Sequence, residues 1–358
     1  MGSSRRNTQD EYSYRSGDTA EFPKSLCQRT ETRAVELIGY TSPYIPVEIL
    51  SLTGLKPYRL LHGDIELSQS GEEYVRIDAC PLVKSNIAFV IQNQKRFGAV
   101  VGATECDMLR RMFEILEDKT SIPIYVINNP RTRQPGIFYD EIDWLTNELK
   151  HLSGRRWDET VIHEEIEKWE TLRRNFRMLD KKRKATPSLL STTSFHNAAE
   201  GYYKGGIEEK PTVPEDHSNK PRVFLLGSEI TYESNWLLEL IEKEVRIIGD
   251  FVCGISRFLN ITVENKNLEG LKTAYYHQTP GLFKRPNAEF YDYINTQLKE
   301  RACNGVIVWT LDYCDTYEFE IKRMREIFKL PLLHIKSDLS HQNISQLKIR
   351  LAAFREIL

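Results

Sequence analysis

Residues 221–259 read PRVFLLGSEITYESNWLLELIEKEVRIIGDFVCGISRFL. A short apolar run, Val223–Leu226, is followed by a helical pattern over Trp236–Glu244 and a second short run at Arg246–Gly249. A strand, a helix and a strand in this order make a right-handed crossover between parallel strands. The alternation continues to the C-terminus. Val306–Trp309 and Leu332–Ile335 read as further buried strands, and Ala288–Arg301, Tyr317–Phe328 and Gln346–Leu358 as helices. These elements predict an α/β lobe over 221–358 with a parallel, doubly wound sheet.

The same architecture is expected upstream, in a first lobe over 26–138. Its strands are read at Arg59–Leu61, Ile87–Ile91, Ala99–Gly102 and Ile124–Ile127, with a helix over Asp107–Leu116 where Met108, Leu109, Met112, Phe113 and Leu116 recur at helical spacing. A helical segment follows over 139–185. Tyr139–Leu152 carries apolar residues at Ile142, Leu145, Leu149 and Leu152 and is broken by Ser153-Gly154. A second helix spans Asp158–Lys184, and its KKRK run at 181–184 reads as a solvated helix end. Residues 186–220, rich in Ser, Thr, Gly, Pro and charge, are expected to form a linker. Residues 1–25 read as a disordered lead-in. The expected whole is α/β, two flavodoxin- or Rossmann-like lobes with a helical segment between them.

Composition narrows the function. Among 358 residues, Lys plus Arg number 49 and Asp plus Glu 51, for a formal net charge of −2. That balance speaks against nucleic acid or an anionic membrane as the main partner. No apolar run approaches the ~18 residues of a membrane span, and the polar start lacks a signal peptide's apolar stretch, so a cytoplasmic location is expected. A GxxxxGK[ST] loop and a GxGxxG turn are both missing, so ATP hydrolysis or nicotinamide chemistry would have to come from other proteins. The eight histidines are dispersed, and His163 and His334 read as ordinary helix and strand side chains.

Six cysteines stand at 27, 80, 106, 253, 303 and 314, with no CxxC pair. Cys106, Cys253 and Cys314 each follow a strand, on the edge of a parallel sheet where ligands bind. Cys80 lies in a loop ahead of an apolar run. A thiolate near a helix N-terminus is stabilised by unpaired N–H groups, which suits it to iron, and iron–sulfur ligands can be distant in sequence. Free cysteines are also commonly buried as small hydrophobes, so the residues alone leave both readings open.

The segments around these thiols carry a resemblance. GYTSPYIPVEIL (39–50), ACPLVKS (79–85), GATECDMLRRM (102–112), GDFVCGISRFL (249–259), GVIVWTLDYCDTYEFE (305–320) and QLKIRLAAFREIL (346–358) occur in that order. Together they resemble the D-component subunits of the 2-hydroxyacyl-CoA dehydratase and benzoyl-CoA reductase family. ELKHLSGRRWDETVIHEEIEKWETLRRNFRML (148–179) is similar to the family's middle segment. The resemblance implies an iron–sulfur cluster, expected as [4Fe-4S], with a double cubane a remote option. It implies a heterodimer with a homologous second subunit, an ATP-dependent iron–sulfur activator protein, and an acyl-CoA thioester as substrate. The chemistry implied is a lyase reaction through a ketyl radical, or reduction of an aromatic ring.

Carried over residue by residue, Cys80 and Cys314 are the first candidate cluster ligands, Cys106 the next and Cys253 a lesser one. Cys27 and Cys303 match no motif. The family's first motif usually reads Cys-x-x-x-Pro-Glu-Glu, and Ser42 here takes the cysteine's place, leaving only the second glutamate, Glu48. Serine rarely offers an anion near neutral pH and so is a poorer ligand. Glu48 is implied as an active-site carboxylate; on the residues alone it is an exposed glutamate in a helix's first turn. Ser228 contacts a ligand or caps a helix. The loss of the first cysteine also admits a non-catalytic partner subunit of such a pair, and the bare fold a metal-free two-lobed binding protein.

Overall fold

The computed structural model describes residues 35–185, 190–206 and 220–358. Among the described residues, eight parallel strands form two four-stranded sheets. The first holds β1 (Leu37–Tyr40), β2 (Lys56–Arg59), β3 (Phe97–Ala103) and β4 (Ile124–Ile127) in the order β2-β1-β3-β4. The second holds β5 (Arg222–Gly227), β6 (Arg246–Phe251), β7 (Gly305–Leu311) and β8 (Leu332–Ser337) in the order β6-β5-β7-β8. The order is the same in both. In each sheet the strand order reverses between its first and third strands, and the crevice beyond the strand ends there is the usual ligand position.

Helices pack on the sheets: α1 (Val47–Leu52), α2 (Ile65–Gly71), α3 (Pro81–Gln92), α4 (Asp107–Lys119), α5 (Pro135–Ser153), α6 (Glu159–Ala185) and α7 (Thr192–Tyr203), then α8 (Asn235–Glu244), α9 (Leu268–His277), α10 (Ala288–Glu300), α11 (Asp315–Glu318), α12 (Ile321–Phe328) and α13 (Ile344–Glu356). Along β5 the faces alternate: Val223 and Leu225 join the main core shared with the first lobe, whereas Phe224 and Leu226 join a smaller cluster with Val306, Val308 and Phe290. No helix among the described residues is long and apolar enough to cross a membrane.

The two-lobed α/β expectation holds, and four local readings change. Ile87–Ile91 lies inside α3, not in a strand; Leu82, Val83, Ile87 and Val90 are all buried, and a helix covered on every side reads as a continuous apolar run. The first sheet's strand is instead β1, four residues long, and β2 ends at Arg59 where the sequence reading began it. Within the expected linker, α7 is a buried helix capped by Ser191, whose hydroxyl accepts from the Ser194 N–H at 3.1 Å. Phe195, Ala198, Ala199 and Tyr202 of that helix enter the core. The helix read over Tyr317–Phe328 is two helices, α11 and α12, parted at Phe319 and Glu320. Residues 1–25, with the expected lead-in, and Cys27 lie outside the described residues.

The long helical segment is as expected. Gly154, at φ +60°, ends α5 in the left-handed conformation glycine favours. In the KKRK run, Arg183 departs from the solvated reading: it is 1% exposed and bonds Asp250 at 2.7 Å and Asp180 at 2.9 Å.

Candidate functional site

Both crevices are built from loops at the C-terminal ends of β1, β3, β5 and β7. In the first lobe these loops carry Ser42 and the Glu105-Cys106 pair, in the second Ser228 and Cys314. The lobes are joined on this side. The Tyr232 hydroxyl donates to the Arg59 carbonyl at 2.8 Å, the Thr231 hydroxyl to that of Gly63 at 3.1 Å, and Glu233 binds both His62 Nδ1 and the Gly63 N–H.

Three of the motif thiols each stand at the start of a helix, and Cys106 and Cys314 both act electrostatically on Cys80. Cys80 precedes α3, whose first residue is Pro81, so the loop is followed by a helix rather than the expected strand. Cys106 caps α4, accepting from the Leu109 N–H at 3.5 Å. Cys314 precedes α11. The residue before it, Tyr313, has φ +64°, a left-handed turn that costs about 1–3 kcal/mol for a bulky side chain and sets the entry to α11. All three are half-buried. Burial pushes the Cys80 thiol far up; Cys314 and Cys106 add to the rise, against the Val83 and Leu82 N–H groups. Burial likewise raises Cys106 to about 12, opposed by the Leu109 N–H and reinforced by Glu229 and Cys314. Burial raises Cys314 to about 11, opposed by the Ser228 hydroxyl and the Tyr317 N–H.

Neutral, crowded thiols at helix N-termini are poised to deprotonate on a cation, because the metal and the N–H groups both stabilise the thiolate. Among the described residues no three His, Cys, Asp or Glu side chains close on a single ion. An iron–sulfur cubane makes a different demand, one sulfur per iron, and thiols spread over several loops fit that donor pattern.

Ser42 is fully buried and donates a short hydrogen bond to Glu105, while its oxygen accepts from the Tyr44 N–H at 3.0 Å. Burial raises the Glu105 carboxyl above its ordinary range, against the Ser42 hydrogen bond and the Arg59 charge. Asn129 also reaches Glu105, at 3.4 Å, and its own carbonyl accepts from Lys284 Nζ at 2.6 Å. Burial lowers Lys284 to about 8, with Glu105 opposing. The Glu105 carboxyl, the Ser42 hydroxyl and, through Asn129, the Lys284 ammonium thus form one chain beside Cys106. Sequence reasoning missed Glu105, Asn129 and Lys284. The adjacency of Glu105 to Cys106 was the one visible sign.

Glu48 is elsewhere in character. It lies in the first turn of α1, yet it is 0% exposed rather than solvated. One oxygen accepts from Arg173 Nη2 at 2.6 Å and the other from the Tyr275 hydroxyl at 2.8 Å. Arg173 in turn bonds Glu170 and Tyr202, so Glu48 pins α1 to α6 and α9. Ser228 caps no helix; it is buried, accepts from the Leu311 N–H at 3.1 Å and faces Cys314. Gly227 before it has φ +133°, and a Cβ there would meet the Trp309 carbonyl at 1.7 Å, so only glycine lets the chain turn into this contact.

Cys253 follows β6 and shares Glu229 and Glu105 as charged neighbours with Cys106. Burial raises it to about 12, Glu229 adds to the rise, and Arg59 and Arg257 oppose it. Cys303 sits at the opposite edge, before β7, near Arg301 and Arg222.

A family model described as 2-hydroxyglutaryl-CoA dehydratase, D-component, matches residues 43–358. The chain belongs to this family. As a D-component chain it is an enzyme subunit of the dehydratase type, built to work with a partner subunit. It is similar to the (R)-phenyllactyl-CoA dehydratase beta subunit of Clostridium sporogenes, 23% identical over 95% of this chain and 97% of the relative. The (R)-2-hydroxyglutaryl-CoA dehydratase beta subunit of Acidaminococcus fermentans is 20% identical over 94% of this chain and 96% of its own length. Among solved structures, a mutant laminin-binding adhesin from Streptococcus agalactiae aligns with 91% of this chain and all of its own. At a TM-score of 0.23 and 9% identity, that likeness carries no argument. The D-component match spans both lobes and the segments that carry Cys80, Cys106 and Cys314.

Proposed function

We propose that this chain is the cluster-bearing subunit of a cytoplasmic 2-hydroxyacyl-CoA dehydratase, paired as a heterodimer with a homologous second subunit and charged by an ATP-dependent iron–sulfur activator. The reading is supported by three thiols from both lobes, Cys80, Cys106 and Cys314, each at a helix start, with Cys106 and Cys314 both acting electrostatically on Cys80. These three would hold a [4Fe-4S] cluster, which when bound supplies a single low-potential electron for ketyl-type chemistry on the thioester. Cys253, near two arginines, stands outside this set.

The chain's own residues supply proton handling. Burial favours the protonated form of Glu105, and that carboxyl, beside the Ser42 hydroxyl, would give its proton to a departing hydroxyl group of the substrate. Asn129 positions Glu105 and links it to Lys284. Glu48 takes no part, since both its oxygens are engaged.

Iron and acid-labile sulfide, measured on protein purified without oxygen, test this first. About four of each per chain is expected, with loss of most iron in Cys80→Ala and Cys314→Ala and none in Cys303→Ala. A folded chain without iron would shift the reading to the non-catalytic partner subunit, which the serine at position 42 independently favours.

A further inference from the structure

The second lobe contains a cavity of about 180 Å³ to which none of the thiols, and neither Ser42 nor Ser228, contributes. Trp309 of β7 and Ile335 of β8, partners in register, line it from the sheet. Trp236 lines it from α8, and Ile344 and Leu347 from α13, which packs against α8. The chain between β8 and α13 completes the lining with Ser337, Asp338 and Ser340. That chain is held in place. Leu339 within it has φ +72°, and a Cβ on Gly63 of the first lobe would meet Leu339 Cδ1 at 2.9 Å. A bulky side chain stays in the left-handed region only where its surroundings fix it, so this edge of the cavity is pre-organised.

Two polar groups in the lining lack partners. Trp309 is 1% exposed, and its indole N–H finds no acceptor. Asp312 is anchored through its backbone, whose N–H donates to the Ser337 carbonyl at 2.9 Å, but its carboxylate makes no hydrogen bond or ion pair among the described residues. An unmatched donor and an unmatched acceptor are both costly once water is excluded. The other charged groups of the lining are engaged. Lys336 meets Glu318 at 3.3 Å, Asp338 accepts from the Ser340 N–H at 2.9 Å, and Arg350 donates to the His334 carbonyl.

We propose that this cavity is a binding site for a small neutral polyhydroxy compound, a monosaccharide or a polyol. The lining carries Asp312 and Asp338 against Lys336 and Arg350, so its formal charge cancels and favours neither an anion nor a cation. A hydroxyl group both donates and accepts, so neighbouring hydroxyls on one carbon frame satisfy the Asp312 carboxylate and the Trp309 N–H together. The Ser337 hydroxyl accepts from the Leu339 N–H at 3.0 Å and keeps its own proton to donate. Trp236, Ile344 and Leu347 supply an apolar wall for the carbon frame. The volume lies below the roughly 300–1,000 Å³ of drug-sized pockets, which limits the ligand to a single ring or a short chain. This site goes beyond the dehydratase reading and does not depend on the cluster.

The test uses the full chain, carrying isotope-labelled tryptophan, titrated with D-ribose, D-glucose and myo-inositol at constant ionic strength. Cyclohexanol, acetate and glycine are the comparators: one hydroxyl, an anion and a zwitterion. Thermal shifts are not the readout, because excluded polyols stabilise folded proteins in general. The Trp309 indole N–H resonance, identified by its loss in Trp309→Phe, should move saturably with at least one polyhydroxy probe and stay in place with the comparators. Asp312→Asn, which keeps the volume and removes the carboxylate, should weaken that probe at least tenfold, and Trp236→Leu several-fold. If Trp309→Phe fails to fold, saturation transfer to the probe, compared between wild type and Asp312→Asn, gives the same tenfold difference. A linear, non-saturating response to every polyhydroxy probe overturns the proposal. Equal or tighter binding of a comparator does so too, as does wild-type affinity in folded Asp312→Asn.

Discussion

Glu48→Ala is expected to cost about 4 kcal/mol of stability, and this number separates a structural from a catalytic role. The carboxylate and its partner Arg173 are both 0% exposed, and the bonds replaced are those of 2.6 Å to Arg173 and 2.8 Å to Tyr275. Removing one side of a buried ion pair costs about 3–5 kcal/mol, because the other charge stays buried. The lower end applies, since Arg173 keeps Glu170 at 3.1 Å. The Tyr275 hydroxyl then loses its acceptor, which adds about 1 kcal/mol. Glu48→Gln retains the volume and one acceptor oxygen and should cost about 2 kcal/mol. In the double variant Glu48→Ala/Arg173→Met, no buried charge is stranded at Arg173, so its cost should fall short of the summed singles by about 2 kcal/mol. Urea unfolding followed by tryptophan fluorescence gives these differences from the midpoint shifts, provided the slope is unchanged. A Glu48→Ala midpoint matching wild type, with activity lost, would refute the reasoning and return Glu48 to the reaction.

Three further outcomes follow from the geometry. Arg183→Ala should destabilise by about 3–5 kcal/mol in the same assay, because it strands Asp250, whose side chain is 0% exposed; Arg183→Lys should recover less than half, lacking the two-pronged fork that spans Asp250 and Asp180. Lys284 is lowered to about 8 by burial, so between pH 8 and the ordinary lysine range the unfolded chain binds the extra proton. Its penalty is complete below pH 8 and lifts as the pH rises, so the wild-type urea midpoint measured against that of Lys284→Met should climb between pH 7.5 and 10; a flat difference would show that Lys284 is not desolvated. Ser42→Cys restores the thiol of the family motif where Ser42 now bonds Glu105. It should lengthen the lifetime of the iron–sulfur absorbance in air, and an unchanged decay would place the cluster out of reach of this position.

The lobes were legible because their signals are local. A strand and the helix after it occupy some 20–30 consecutive residues, and β3, β4, α4, α6 and all four second-lobe strands were read within a few residues of their observed bounds. The failures were local signals overridden by packing. Inside α3, nine of twelve residues are buried, which erases the polar face that marks a helix. In the expected linker, Ser191, Thr192 and Ser194 look like loop composition until Ser191 is seen as a cap. The thiols were legible in type but not in grouping. Cys80, Cys106, Cys314 and Cys253 were put forward as ligands on a resemblance, and the structure sets the first three at helix starts and Cys253 after β6.

What no window of sequence could reveal is what repeats between the lobes. The two sheets share one strand order, and each places a buried serine after its first strand and a helix-starting cysteine after its third: Ser42 with Cys106, and Ser228 with Cys314. The serines then diverge, Ser42 turning to Glu105 and Ser228 to Cys314. The second-lobe pair leaves its thiol with a hydroxyl donor. The first-lobe pair spends its hydroxyl on a carboxyl and leaves Cys106 to the helix N–H alone. A common scaffold therefore presents two unlike faces, one that pairs its serine with a carboxyl and one that pairs it with a thiol.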